Sequence, residues 1–290
     1  MNDALGDRMK EYEGLEAARK FMPGIPIIAR VDGRGFSKFT KGMGRPFDQL
    51  MTNAMIETTK FLVKETNACI GYTQSDEITL VFNPHATKRA VWFNARITKM
   101  ISQLAAQATI GFYNEILRTM PKYARRLPTF DARVWQVPTA IEAANSVLWR
   151  EWDATKNSIT MAASVFYTTS QLKGKNGAEK QELLFQNGIN WNDYPVSFKR
   201  GTYVQRTSFS KPFTVEELDK LPAKHMARSN PELAIIRSKI DVIDMPKFSS
   251  VANPVEVIFN AAKPVLKKDV SLVDADGFKP EEVFGEIEVA

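Results

Sequence analysis

Residues 68–82 read ACIGYTQSDEITLVF: two apolar, strand-like runs, 68–73 and 78–82, separated by four polar residues. A connection that short returns the chain as an antiparallel hairpin, and Asn83-Pro84 ends it. The hairpin also carries two adjacent carboxylates, Asp76 and Glu77, to its tip.

The flanking segments complete a pattern. IPIIARVD, residues 25–32, is short, rich in β-branched residues and closed by Gly33-Arg34-Gly35, which predicts a central strand. An amphipathic helix is expected before it. Residues 48–66 place Leu50, Met51, Ala54, Met55, Thr58, Phe61 and Leu62 at three-four spacing behind Asp48, a core-facing helix with an N-cap. Residues 87–117 lack Gly and Pro until Gly111 and favour a second helix, and TFDARVWQV, 129–137, alternates as a strand until Pro138. The order β-α-β-β-α-β is that of a ferredoxin-like, α+β fold with an antiparallel sheet and helices on one face. In that topology the first strand lies beside the hairpin, so Asp32 would face Asp76 and Glu77. Further on, Thr214-x-x-Glu217 is a capping box for a short helix. Ser229-Asn230-Pro231 predicts a helix through Lys239, residues 255–259 read as a strand, and residues 263–290 are expected to be partly disordered.

Composition narrows the chemistry. Cys69 is the only cysteine, and His85 and His225 are the only histidines, so no CxxC zinc site, HExxH or disulfide framework exists. There is no GxxxxGK loop, and no GxGxxG follows a strand. An enzyme built on this chain relies on carboxylates and basic residues. With 44% hydrophobic residues it can bury a core, and a formal charge of +6 tilts its partners toward nucleotides or nucleic acid. The longest apolar runs fall far short of the roughly 20 residues a membrane helix needs, and the N-terminus is polar and unlike a secretory signal. A cytoplasmic, soluble protein without a membrane partner is expected.

Carboxylates from neighbouring strands at one sheet edge can hold two Mg²⁺ ions about 3.5–4 Å apart for phosphoryl transfer, a donor set that Mg²⁺ favours. Asp32-Gly33 and Ser75-Asp76 taken singly also read as turns. Arg89, Trp92, Arg96 and Lys99 fall on one face of the second predicted helix, as a triphosphate would need. Arg30 shares a strand face with Asp32, and Arg133 alternates with Asp131. Arg34, Lys38, Lys41 and Arg45 make a basic loop.

RVDGRGFSKFTKG…RPFD, YTQSDEITLVF, FDARV, WREWDATKNSIT, EKQELLF and FKRGTYV, in this order, resemble the tRNA(His) guanylyltransferase family and its guanylyltransferase-like relatives over roughly residues 5–205. The resemblance implies a palm-like catalytic domain at 1–138, a family-specific region at 139–210 and an extension at 211–290. It implies 3′→5′ addition of nucleotides to the 5′ end of tRNA, with ATP and GTP as substrates, two Mg²⁺ ions and a homotetramer. ATP first converts a 5′-phosphate to an adenylylated end, and the 3′-hydroxyl of GTP then displaces AMP. By position, Asp32, the Gly33 carbonyl and Asp76 would be metal ligands, with Glu77 completing the catalytic acids. Asp32, Gly33, Arg34, Gly35, Phe36, Ser37, Ser75 and Asp76 would line the nucleotide, with Arg96, Lys99 and Arg133 on its phosphates or the RNA end. Arg30 and Arg45 would serve activation and the RNA end, and Asn157, Lys180, Lys199 and Arg200 the tRNA. The family's His-Ile-Asn-Asn motif is Thr155-Lys156-Asn157-Ser158 here, and a family histidine is Ser37. The pattern is similar to the members that add templated nucleotides. A palm-like cyclase or other nucleotidyltransferase without an RNA substrate, and a non-catalytic RNA-binding protein, remain the alternatives.

Overall fold

The computed structural model describes residues 3–83, 91–230 and 233–269. In chain order the elements are α1 (Ala4–Ala17), β1 (Ile27–Gly33), α2 (Phe36–Phe39), α3 (Gln49–Thr66), β2 (Ile70–Gln74), β3 (Glu77–Phe82), α4 (Ile97–Thr119), α5 (Pro121–Ala124), β4 (Phe130–Gln136) and α6 (Ala140–Ala163). There follow α7 (Thr169–Leu172), α8 (Gly177–Gln186), α9 (Val196–Arg200), β5 (Thr202–Pro212), α10 (Val215–Asp219), α11 (Met226–Ser229), β6 (Ala234–Val242) and α12 (Pro254–Asn260). The described strands form one antiparallel sheet in the order β4-β1-β3-β2-β5-β6. Its first four strands have the ferredoxin-like order that the sequence predicts.

The two-residue period of a strand divides β1 between two environments. Ile27, Ala29 and Val31 join Ile78, Leu80 and Phe82 of β3 under α3 and α4, where Met55, Leu62, Leu104 and Phe112 are buried. Full burial of each such side chain contributes about 1.5–3 kcal/mol. Asp48 caps α3 as expected, accepting hydrogen bonds from the Leu50 and Met51 amides. Ile28 faces the other way, into a second core with Ile70, Tyr72, Val81 and the α6 residues Ala143, Val147 and Leu148. Helices from the C-terminal half thus close the sheet's second face. On that same face Arg30 and Asp32 continue beyond the apolar part, toward the hairpin end of the sheet.

Four expectations change. The hairpin loop is two residues, because Gln74 pairs with Glu77 and Ser75 takes φ +50; Glu77 is polar yet lies within the strand because a charged partner on α6 meets it. The second long helix starts at Ile97, not 87: Phe93, Asn94 and Ala95 have φ of +52, +53 and +58, which a right-handed helix cannot continue, and the Phe21 amide binds the Ala95 carbonyl. Trp92 is therefore not on the helix with Lys99, Arg96 is only its N-cap position, and Arg89 lies outside the described residues. Residues 234–239, expected in a helix, are strand: β6 pairs with β5 from Val204↔Val242 to Pro212↔Ala234, and that ladder overrides local helix preference. Residues 255–259 lie in helix α12 despite their β-branched side chains, since Pro254 starts the helix and Gln205 donates to the Val257 and Ile258 carbonyls. The capping box at Thr214 and Glu217 forms. Residues 270–290 of the acidic tail lie outside the described residues.

Helix α1 buries no side chain, and Leu5, Met9, Tyr12 and Leu15 face solvent along it. Among the described residues no helix is long and apolar enough to cross a membrane.

Candidate active site

Antiparallel register brings the acids together. Asp32 at the end of β1 lies opposite Glu77 of β3 on one side and Asp131 of β4 on the other. Asp76 sits at the hairpin tip, where its carbonyl accepts a hydrogen bond from the Gly33 amide at 3.0 Å. The following turn depends on glycine twice. A Cβ on Gly33 would lie 2.4 Å from the Phe36 ring, and Gly35 takes φ +65. Phe36 then enters the core, with its ring centroid 5.0 Å from that of Phe130, while Arg34 and Ser37 stay exposed.

Asp32 is partly buried, and its carboxylate makes no hydrogen bond or ion pair among the described residues. Burial, then the Asp131 carboxylate, raise its pKa above the usual aspartate value, against Arg133, Arg30 and Arg150. Burial also raises the Asp76 carboxyl; the Ser75 hydroxyl, 3.0 Å away, counters this, and Asp32 adds to it. Asp131 disfavours the charge on Asp32, and Asp32 that on Asp76, a crowding that a divalent cation would relieve. No group of three or more His, Cys, Asp or Glu able to hold a metal forms among the described residues. Two carboxylates with room for water and phosphate suit Mg²⁺ better than a protein cage does.

Glu77 is engaged otherwise. Arg150 of α6 donates from Nε to one carboxylate oxygen at 2.6 Å and from Nη2 to the other at 2.8 Å, and Arg30 Nε lies 4.0 Å away. Burial pushes this carboxyl up, against the pull of Arg150 and Arg30. Arg150 Nη2 also donates to Asp153 at 2.9 Å, and Asn157 Nδ2 donates to the same oxygen at 3.0 Å. A chain of polar contacts thus runs from the sheet to Asn157, on the wall of a cavity of about 430 Å³. Ser37, Arg45, Asp48, Met55, Ser75 and Phe198 are among its other lining residues. Arg45 Nη2 reaches the Ser164 hydroxyl at 3.3 Å.

The remaining expected residues separate. Arg133 is cross-strand from Arg30 and belongs to the acid cluster. Arg96 and Lys99 do not: Arg96 bridges to Lys20 and Thr98 contacts Ala17, next to the start of β1, where Gln136 binds Met22. Asp32 is at the far end of that strand, five residues or about 17 Å from Ile27. Lys180 is held by the Thr160 hydroxyl at 3.1 Å, Lys199 by the Asn192 carbonyl, and the Arg200 carbonyl accepts from Tyr72 at 2.8 Å. Arg150, Asp153 and Asp131 were not singled out as site residues from the sequence. The spacing Arg150-x-x-Asp153-x-x-x-Asn157, one face of a helix, was the available signal for the first two.

The family model described as tRNAHis guanylyltransferase matches residues 6–138. A bacterial tRNA(His) guanylyltransferase-like protein solved in complex with ATP aligns with a TM-score of 0.72 and 33% identity, over 88% of this chain and 99% of that one. A bacterial protein of the same description in complex with GTP gives 0.65 and 33%, over 85% and 94%. The tRNA(His) guanylyltransferase of Schizosaccharomyces pombe is 29% identical over 208 residues, 67% of this chain and 77% of the relative.

Proposed function

This chain belongs to the tRNA(His) guanylyltransferase family, and we propose that, as a nucleotidyltransferase, it extends the 5′ end of tRNA in the 3′→5′ direction. The supporting observation is the pair Asp32 and Asp76, crowded, partly buried and in no ion pair among the described residues, beside a cavity of nucleotide size. ATP and GTP, bound by the solved bacterial relatives, are the expected substrates. The resemblance supplies the order of steps: a 5′-phosphate attacks the α-phosphate of ATP and releases pyrophosphate, then the 3′-hydroxyl of the incoming nucleotide attacks the adenylylated end and releases AMP.

Asp32, Asp76 and the Gly33 carbonyl would hold two Mg²⁺ ions, which when bound stabilise charge on the attacking and leaving oxygens. Ser37 and Ser75 line the nucleotide cavity. Arg30 and Arg133 set positive charge beside Asp32, and Arg150 fixes Glu77, which keeps the β3 strand and α6 in register. Residues 1–138 form the catalytic unit in this reading, 139–210 its family-specific region and 211–290 an extension. The protein is cytoplasmic and a homotetramer, the exposed apolar stripe of α1 being available to a second copy.

The test is nucleotide addition to 5′-monophosphorylated tRNA(His) and to 5′-truncated tRNAs of other identity, with each of the four nucleoside triphosphates. Templated addition to truncated tRNAs is the expected result. Failure to extend any 5′-monophosphorylated RNA would refute the reading, and addition of G to tRNA(His) alone would refute its templated part.

A further inference from the structure

Trp149, on the flank of α6 that borders the charged end of the sheet, has no part in the chemistry above. It leaves 51% of its surface open to solvent, high for a tryptophan, and its indole N–H makes no hydrogen bond among the described residues. Its position is nevertheless fixed from below: the guanidinium carbons of Arg150 and Arg30 lie 4.5 and 5.7 Å from a ring centroid. Those two arginines are the ones that address Glu77, and both act on the Asp32 carboxylate. The result is an open aromatic surface on a cationic floor next to the acid pair.

A transfer between two nucleotides needs two seats at one acid pair. The cavity of about 430 Å³ supplies one, and none of Trp149, Arg30 and Arg133 lines it. The flank with Trp149 is the other, and its lack of walls suits a chain end that continues into solvent better than a free nucleotide. The terminal base of an RNA end presents an open π-face, which can stack on aromatic rings and on guanidinium planes.

We infer that Trp149 is the stacking surface for the 5′-terminal base of the RNA, with Arg133 and Arg30 facing its phosphate. The inference rests on the RNA reading proposed above and adds to it the residue that receives the acceptor.

The experiment is a cycle between the ring and the base. Addition is measured for the wild type and W149A on 5′-monophosphorylated tRNA whose first nucleotide carries or lacks its base. Removing either partner should raise KM for RNA about tenfold, removing both should raise it no further, and KM for the nucleoside triphosphate should stay unchanged. W149F, which keeps a ring, should recover most of the loss. Additive losses, or a change confined to KM for the triphosphate, would overturn the inference.

A second arm needs no turnover. Quenching of tryptophan fluorescence by a 5′-monophosphorylated trinucleotide should fall sharply in W149F; undiminished quenching would also overturn the inference. A wild type that shows this quenching but adds no nucleotide refutes the proposed function and supports the stacking. Addition with additive losses refutes the stacking alone.

Discussion

Arg150 and Glu77 form a two-pronged ion pair, at 2.6 and 2.8 Å, with both side chains buried. Of the two adjacent acids at the hairpin, one is therefore committed to holding α6 on the sheet. Asp76 and Asp32, whose neighbour Gly33 hydrogen-bonds the Asp76 carbonyl, retain their carboxylates for chemistry.

Removing one partner of that pair strands a buried charge. Arg150→Ala should destabilise the fold by about 3–5 kcal/mol, measured by urea unfolding, and reduce nucleotide addition. Glu77→Leu with Arg150→Met should recover most of the stability and little of the activity. Full activity in that double variant would show that the pair does not position the site.

Asp32→Ala and Asp76→Ala should reduce nucleotide addition to background with an unchanged circular dichroism spectrum. Chelation of Mg²⁺ should do the same to the wild type. Added Mg²⁺ should raise the wild-type Tm by ligand linkage and leave that of Asp32→Ala unmoved. An active Asp76→Ala enzyme is the outcome that would remove the two-acid assignment.

The Asp32 carboxyl has a pKa above its ordinary value of 3.8. A raised acid contributes stability that is fully present below the unfolded pKa and is lost as pH rises through the folded one. At neutral pH its charge is thus destabilising. Asp32→Asn should melt higher than wild type at pH 7, by about 1–2 °C because solvent screens a partly buried group. That gap should close as pH falls toward 3.8. Equal melting temperatures at pH 7 would contradict the crowding argument.

The C-terminal segment braces the same helix. Glu151, adjacent to Arg150, is buried and accepts from the Tyr203 hydroxyl at 2.8 Å and the Phe248 amide at 2.9 Å. Tyr203→Phe removes one donor from a buried carboxylate and should cost about 1–3 kcal/mol. Calorimetry showing no change would detach residues beyond 200 from the positioning of α6.

Replacing Leu5, Met9 and Leu15 by Glu should leave the fold intact, since none of them is buried. If α1 mediates assembly, light scattering should report a smaller particle than wild type. A monomeric wild type would refute the oligomer.

Local pattern carried the first half of the fold. Alternation in IPIIARVD, three-four spacing behind Asp48 and the short hairpin link each depend on neighbours in the chain. Together they were enough to bring Asp32 to Glu77. The expectations that failed depend on distant partners: β6 needed the edge of β5, α12 needed Gln205 on its last carbonyls, and α4 was cut short where Phe21 takes up the Ala95 carbonyl.

The sequence by itself thus determined how the first four strands meet and which acids share their ends, because strand period and turn length are local properties. Which acid is available for chemistry was decided only in three dimensions. Arg150 is 73 residues from Glu77 along the chain. Only the packing of α6 across the second face of the sheet brings its charge to Glu77, while Asp32 and Asp76 form no ion pair among the described residues.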